Sequence, residues 1–223
     1  MYKKVLFFCS EGLPSIIVLL CICIAVSVFS FKKPFGVLFA VVLWLLFFEF
    51  CYFFRDPERN IPQDPNIIVS PADGKIINIQ SMQENVYLKQ DCLRVSIFMN
   101  IFNVHVNRSP IPGVIEYIRY NHGKFISAFK EKASLDNEQV LIGIRGTMEG
   151  EGKFRILVKL IAGLLARRIV LWKQKDAQLD KGERMSLIKF GSRVDVYLPL
   201  QVELRVKEGD RVKAGETIIG LIK

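Results

Sequence analysis

With 223 residues, a formal net charge of +9 and a hydrophobic fraction of 51%, the chain can hold one ordinary domain and an additional segment. Its charge would suit nucleic acid or an anionic membrane surface, but the apolar excess lies in residues 1–54, so a membrane explains the charge without a polynucleotide. The five cysteines show neither metal-ligand spacing nor a disulfide framework, which favours a domain in a reducing compartment.

Two apolar stretches open the chain, at residues 13–31 and 35–54, with Lys32-Lys33-Pro34 between them. As helices, each is long enough to cross a hydrocarbon core of about 30 Å, so residues 1–54 predict a membrane-associated helical hairpin. Basic residues flanking the hairpin outnumber those in its turn, and the positive-inside rule then places the main domain in the cytoplasm. A cleaved signal peptide and two helices lying on the bilayer surface are the alternatives.

The remaining chain favours β-structure. Residues 55–65 contain three prolines and alternating charges, which predicts a linker. Beyond it, short alternating runs predict strands at 67–69, 75–79, 92–98, 102–106, 114–120, 140–144 and 154–161. Residues 66–223 therefore predict a mainly β (α+β) domain, of the sandwich or barrel type. The polar residues 123–138 predict a long loop with a helical turn.

Glycine-punctuated short strands at residues 206–220 resemble the hammerhead hairpins of biotinyl and lipoyl carrier domains. A carrier domain displays a lysine at a hairpin tip in a characteristic setting, and this stretch has none. The resemblance is therefore interpreted as one of architecture.

Residues 187–199 predict a strand, a Gly191-Ser192 pair and a second strand with alternating Val194, Val196 and Leu198. A glycine inside a strand-like run marks a bulge or a close backbone approach. Here it is followed by a serine, which is a potential nucleophile with a peptide carbonyl directly before it. The pair is therefore the candidate site of chemistry.

Two other residues could support that serine. Asp73, His105 and Ser192 together supply an orienting carboxylate, a base and a nucleophile. Each also has an ordinary explanation, since aspartate before glycine caps turns and a histidine among valines is commonly a core residue. The chain lacks a Gly-x-Ser-x-Gly elbow around Ser192, which favours attack on its own backbone over attack on an incoming ester.

Four ordered motifs carry a resemblance to a known family. The chain resembles the phosphatidylserine decarboxylase proenzymes of the short prokaryotic type over essentially its whole length, with the apolar hairpin the least specific part. The motifs are Ser70-Pro71-Ala72-Asp73-Gly74, Asn103-Val104-His105-Val106-Asn107-Arg108, Ala162-Gly163-Leu164-Leu165-Ala166-Arg167-Arg168-Ile169-Val170 and Phe190-Gly191-Ser192-Arg193-Val194-Asp195.

The resemblance implies self-maturation. Ser192 attacks the carbonyl of Gly191, and cleavage gives a β chain ending at Gly191 and an α chain of residues 192–223 that begins with a pyruvoyl cofactor. His105 matches the family's base and Asp73 the acid that orients it. The amine of phosphatidylserine then condenses with the new carbonyl, CO₂ leaves, His105 returns a proton, and phosphatidylethanolamine is released.

The resemblance also suggests substrate contacts and partners. His122, Phe125 and Ser127 match the region that holds the serine headgroup, while Arg167 and Arg168, together with Arg193, are candidates for contact with lipid phosphate or carboxylate. A solvated basic face is the alternative for these arginines. The resemblance suggests a homodimer. The apolar hairpin and its flanking charges predict a protein at the cell membrane with its catalytic domain in the cytoplasm, and neither a metal nor a nucleic acid partner is expected.

Three other functions remain open from the residues. A decarboxylase of another serine-headed lipid, such as archaetidylserine, would have the same motifs because the headgroup is identical. In a membrane-anchored β-rich binding module, Gly191-Ser192 would be only a bulge. In a conventional serine hydrolase, Ser192 would persist as a hydroxyl nucleophile.

Overall fold

The computed structural model describes residues 4–5, 7–30, 34–123, 136–146, 154–163, 168–189 and 192–222. The chain divides into two compact units, Met1–Pro57 and Glu58–Lys223. The first is helical and apolar, and the second is built from β-strands.

The first unit contains the helical pair that the sequence predicts. Its elements are β1 (Lys4–Val5), β2 (Phe8–Cys9), α1 (Leu13–Ser30) and α2 (Pro34–Phe53). The indole Nε1 of Trp44 on α2 donates a hydrogen bond of 3.1 Å to Ser27 Oγ on α1, which joins the two largely apolar helices through polar groups. Within α2, Phe35–Phe53 is long and apolar enough to cross a membrane, and Leu13–Phe29 is a shorter apolar helix. The predicted turn at Lys32 and Lys33 lies outside the described residues.

The second unit is mainly β, as predicted. Its strands are β3 (Ile67–Val69), β4 (Gly74–Glu84), β5 (Gln90–Met99), β6 (Val106–Arg108), β7 (Gly113–Asn121), β8 (Gln139–Gly146), β9 (Arg155–Ala162), β10 (Ile169–Leu171), β11 (Gln178–Leu179), β12 (Arg184–Ile188), β13 (Ser192–Pro199), β14 (Val202–Leu204), β15 (Arg211–Val212) and β16 (Ile218–Ile222).

These strands form antiparallel sheets. The largest runs in the order β11-β7-β8-β9-β13-β5-β4-β15 and curls into a half-barrel. Two smaller sheets have the orders β10-β12-β6 and β14-β16-β3. Strand β13 lies in the middle of the large sheet, between β5 and β9, and all its residues are buried. Its predicted alternation is confirmed, because Val194, Val196 and Leu198 all join the main hydrophobic core.

One strand prediction is wrong. Residues 102–106 do not form a strand, and β6 begins only at Val106. The amide N–H of Asn100 donates to Asn103 Oδ1, and that of Phe102 donates to Asn100 Oδ1, each at 2.9 Å. Asparagine side chains thus bind the backbone groups that a strand ladder would need, and a turn forms instead. Of the predicted loop at 123–138, residues 124–135 lie outside the described part of the chain.

Candidate functional site

Ser192 is the first residue of β13 and is paired on both sides. Its Cα partners are Met99 of β5 and Ala162 of β9. The side chain is fully buried, and its hydroxyl donates to the Met99 sulfur at 3.3 Å. The candidate nucleophile is therefore held at the end of a central strand, away from bulk water. Phe190 and Gly191 lie outside the described residues.

His105 is held beside the segment that leads to Ser192. The histidine directly precedes β6 and is fully buried. Its carbonyl oxygen accepts a hydrogen bond of 3.3 Å from the N–H of Ile188, the last residue of β12. The ring Nδ1 lies 2.9 Å from the carbonyl oxygen of Asn103. A carbonyl can only accept, so Nδ1 carries the proton and the basic lone pair of the neutral ring lies on Nε2.

Asp73 is bound by two donors. The Arg59 Nη2 atom lies 3.0 Å from Asp73 Oδ1 and 2.9 Å from Oδ2, and the Ala214 N–H donates to Oδ1 at 2.8 Å. The Arg59 and Asp73 side chains are only 7% and 11% exposed. Arg59 also lies 3.6 Å from Glu216. The sequence predicted that Arg59 lies in a linker, whereas its guanidinium is buried in the β-rich unit.

Backbone contacts bring the motifs that contain Asp73, His105 and Ser192 to one end of the large sheet. Lys75 pairs with Phe98, and Phe98 pairs with Arg193, so the turn containing Asp73 reaches the same end as Ser192. At about 4.8 Å per strand, Gly74 and Ser192 are separated by two strand spacings, or about 10 Å. The Arg108 N–H donates to the carbonyl of Pro71 at 2.8 Å, which ties the same turn to β6, the strand after His105.

The predicted substrate contacts are only partly within the described residues. His122 is exposed, and its ring makes an edge contact with Tyr120 at 4.7 Å between centroids. It follows β7, whose last residue, Asn121, is at the Ser192 end of the sheet. Arg168 is exposed and accepts a backbone hydrogen bond from Lys189. Phe125, Ser127 and Arg167 lie outside the described residues, so these contacts stay predictions.

Arg193 is buried, which the sequence-based interpretation did not expect. Its side chain is 2% exposed and donates to both carboxylate oxygens of Asp195, at 2.6 and 3.1 Å. It also donates to Ser96 Oγ at 2.9 Å. The interpretation of Arg193 as a lipid contact is therefore wrong, because alternate residues of β13 face opposite sides of the sheet and this one points into a buried polar cluster.

Sequence reasoning missed two buried ion pairs, Arg59–Asp73 and Arg193–Asp195. Arg193 and Asp195 carry opposite charges two positions apart in a predicted strand, which is a local signal that they share a face. Nothing local links Arg59 to Asp73, since the contact depends on how distant segments pack. Among the described residues, no group of three or more His, Cys, Asp or Glu side chains is placed to hold a metal ion.

Comparison with known proteins identifies relatives of this chain. A family profile described as phosphatidylserine decarboxylase matches residues 46–220. A phosphatidylserine decarboxylase proenzyme from Desulfotalea psychrophila is 48% identical over 77% of this chain and 78% of its own length. Proteins of the same name from Carboxydothermus hydrogenoformans and Geobacter metallireducens are 44% and 41% identical, covering 82% and 96% of this chain and 84% and 95% of theirs.

The profile match and the relatives define the class of the protein, which is a decarboxylase, as the motifs predicted. The four motifs all lie inside the matched region. The chain belongs to the phosphatidylserine decarboxylase family.

Proposed function

We propose that this chain is a self-processing decarboxylase that converts phosphatidylserine to phosphatidylethanolamine, with Gly191-Ser192 as its cleavage site. The observation that carries the proposal is the placement of Ser192, a fully buried serine at the start of a central strand. His105 is fixed by its backbone to the strand that enters this site. The relatives are named as proenzymes of this activity, which supports a maturation step.

The first step would exchange an amide for an ester. His105 takes the hydroxyl proton of Ser192 through Nε2 while Oγ attacks the carbonyl carbon of Gly191. The C–N bond of that peptide breaks, its nitrogen takes a proton and becomes the free amine of residue 192, and an ester joins Gly191 to Oγ. Asp73, paired with Arg59, would stabilise the positive charge on the His105 ring during this transfer.

The second step would separate the chains. Loss of the α-proton of residue 192 expels the Gly191 carboxylate and leaves a carbon–carbon double bond at residue 192. The resulting enamine shifts to an imine, and water replaces its nitrogen, which leaves as ammonia. No oxidant is needed, and the products are a β chain ending at Gly191 and an α chain starting with a pyruvoyl group.

The residues around Ser192 fit such a group. Its carbonyl, once formed, would supply an electron sink for loss of CO₂ from an amino acid headgroup. A pyruvoyl group is slightly smaller than the serine residue it replaces, and Met99 offers an adaptable apolar wall at 3.3 Å from the present hydroxyl. The burial of Ser192 would keep bulk water away from the reacting centre, and His105 would return a proton to the substrate carbon.

The two chains would remain associated after cleavage. Strand β13 of the α chain is paired with β5 and β9, and β16 is paired with β3. His122 and Arg168 are exposed and could bind the headgroup. The apolar helix α2 supports attachment to a cell membrane, and the charges flanking the hairpin support a cytoplasmic domain. The family resemblance supports a homodimer.

The decisive test is the intact mass of the purified chain and of Ser192→Ala. The wild-type protein should give two species, with the smaller one carrying a pyruvoyl terminus in place of a serine. Ser192→Ala should remain one chain without decarboxylase activity, since it lacks the attacking oxygen. Ser81→Ala, at an exposed serine of β4, controls for removal of a hydroxyl. A wild-type chain that stays intact in its native state contradicts the proposal.

His105→Gln tests the proton transfer separately. It keeps a polar side chain of similar reach but removes the base, so cleavage should slow by about a hundredfold or more. His122→Gln should cleave normally and raise KM for phosphatidylserine. Normal cleavage of His105→Gln would refute the role assigned to His105. Assays with diacyl and archaeal ether lipids would show whether the headgroup alone determines the substrate.

A further inference from the structure

An ion pair lies directly behind the proposed cofactor position. The Arg193 side chain is 2% exposed and that of Asp195 0%, and their shortest contact, from Nε to Oδ1, is 2.6 Å. Nη2 of the same guanidinium donates to Asp195 Oδ2 at 3.1 Å and to Ser96 Oγ at 2.9 Å. Three hydrogen bonds therefore fix the orientation of the Arg193 side chain.

The pair lies on the opposite face of β13 from Ser192. Because side chains alternate along a strand, Arg193 and Asp195 point away from the core that Val194 joins. Ser96, on the neighbouring strand β5, is the cross-strand partner of Asp195 and lies on the same face. Arg193, whose side chain is fixed in this way, directly follows residue 192. Its amide nitrogen is bonded to the carbonyl carbon of residue 192.

Further buried charges surround the Arg193–Asp195 pair, and fold stability alone does not account for them. Asp195 is opposite Lys159 of β9, and Arg94 and Glu84 are further charged groups near that lysine. Burial lowers the pKa of the Lys159 ammonium to about 8, although the Asp195 carboxylate acts in the opposite direction. Replacing a buried ion pair by well-packed apolar side chains is commonly neutral or stabilising, so fold stability alone gives little reason for this cluster.

Cleavage creates a need for such an anchor. In the proenzyme, residue 192 is tethered by peptide bonds on both sides. After cleavage it would be the first residue of a new chain, and the ends of secondary-structure elements fray. A carbonyl that reacts with substrate must instead stay in place, since a misplacement of about 1 Å can cost a hundredfold in rate. The hydrogen bonds that hold the Arg193 side chain act one residue from this new terminus.

We propose that Asp195 and Ser96 are positioning residues that, by holding the Arg193 side chain, keep the start of the α chain and its pyruvoyl carbonyl in the reactive orientation. This inference rests on the proposed function. It assigns the pair a role after cleavage, in decarboxylation, which separates it from the residues that perform the cleavage.

The test compares Asp195→Asn and Ser96→Ala with the wild-type full-length protein. Both variants should cleave and form the pyruvoyl terminus, as shown by the intact mass of the α chain. Per α chain formed, kcat of Asp195→Asn should fall at least about tenfold, which corresponds to about 1.4 kcal/mol of activation free energy, while KM stays unchanged. Ser96→Ala keeps the ion pair and loses one hydrogen bond, so it should show a smaller fall of the same kind.

Glu116→Gln is the matched control. Glu116 accepts hydrogen bonds from Arg145 and Arg155 in the same sheet, but its side chain is 26% exposed and its strand, β7, is separated from β13 by β8 and β9. Its kcat should equal that of the wild type. An unchanged kcat in Asp195→Asn would overturn the inference, and so would a folded variant that no longer cleaves, because the pair would then act in maturation.

If Asp195→Asn does not fold, Ser96→Ala decides the question, and a wild-type kcat in that variant overturns the inference. These outcomes differ from failure of the proposed function itself. That failure would appear in the wild-type protein, as an uncleaved chain or as a cleaved chain without decarboxylase activity.

Discussion

At the scale of single residues, buried charges dominate the candidate site. Asp73 and Asp195 each receive hydrogen bonds from an arginine whose side chain is less than a tenth exposed. An ionised group away from water is tolerated only when it is paired, and breaking such a pair by removing one partner leaves an uncompensated charge. Removing Arg59 or Arg193 would therefore leave the aspartate beside it without the partner that compensates its buried charge.

This dependence predicts the effect of Arg59→Met. Loss of the guanidinium leaves the Asp73 carboxylate buried with only the Ala214 N–H as a donor among its described contacts. The free energy of unfolding of the uncleaved Ser192→Ala background should fall by about 3–5 kcal/mol, as measured by urea denaturation in detergent. In a chain that carries Arg59→Met and retains Ser192, self-cleavage should slow as well, since Asp73 would no longer be held in place.

Arg184→Met provides the comparison. Arg184 is paired with Glu58 at 3.1 Å, but the Glu58 side chain is 74% exposed. An exposed pair contributes about 0–1 kcal/mol, so this variant should remain close to the wild type. Equal losses of unfolding free energy in the two variants would show that burial does not determine how much the Arg59–Asp73 pair contributes to stability.

At the scale of elements, a few strand ends determine the site. Strand β12 ends at Ile188, bound to the carbonyl of His105, and β13 begins at Ser192 between its two neighbours. Strand β4 begins at Gly74, directly after Asp73. A Cβ atom added to Gly74 would lie 2.3 Å from the carbonyl oxygen of Phe98, so the backbones of β4 and β5 approach too closely there for a side chain.

Gly74→Ala should therefore disturb the site through the sheet. The methyl group must push β4 away from β5, which should cost about 1–3 kcal/mol of stability and displace the turn carrying Asp73. Thermal unfolding of the Ser192→Ala background would measure the loss, and the rate of chain cleavage would report the displacement. Lys75→Ala, at the exposed neighbouring position, should change stability by less than about 0.5 kcal/mol. A Gly74→Ala variant as stable as Lys75→Ala would contradict this view of the close approach.

At the scale of the whole molecule, the chain combines two units with different surfaces. Helix α2 exposes large apolar side chains along its length, including Leu38 and Leu45 at 63% and 64% exposure. The β-rich unit instead buries its aliphatic residues in one large cluster. The first unit has the surface expected of a segment in contact with lipid, while the second can fold around its own core.

The double variant Leu38→Arg/Leu45→Arg tests this assignment. Each arginine within a spanning helix should disfavour insertion by about 3 kcal/mol, so the protein should shift from the membrane pellet to the soluble or aggregated fraction after alkaline extraction. Leu38→Ile/Leu45→Ile should stay in the pellet. Retention of the arginine variant in the membrane would show that α2 does not hold the protein there.

The sequence by itself determined that the chain begins with two apolar helices and continues as a mainly β domain. The helical pair, the mainly β domain and the alternation of β13 follow from hydrophobic periodicity, which is a local property that burial on one face imposes on each segment. The strand predicted at 102–106 failed because Asn100 and Asn103 bind the backbone locally, and apolar alternation does not register such competition. The four motifs also predicted the family, through their resemblance to its known members.

Only the tertiary structure decided how the site is assembled. The sequence proposed that Asp73 assists His105, but it did not reveal that Arg59 and the Ala214 N–H hold the Asp73 carboxylate. It also left Arg193 as a candidate lipid contact, whereas packing buries that guanidinium against Asp195. The hydrogen bond from Ala214 to Asp73 joins segments far apart in the chain. The energy of both arginine–aspartate pairs depends on burial that is established only when the whole sheet has formed.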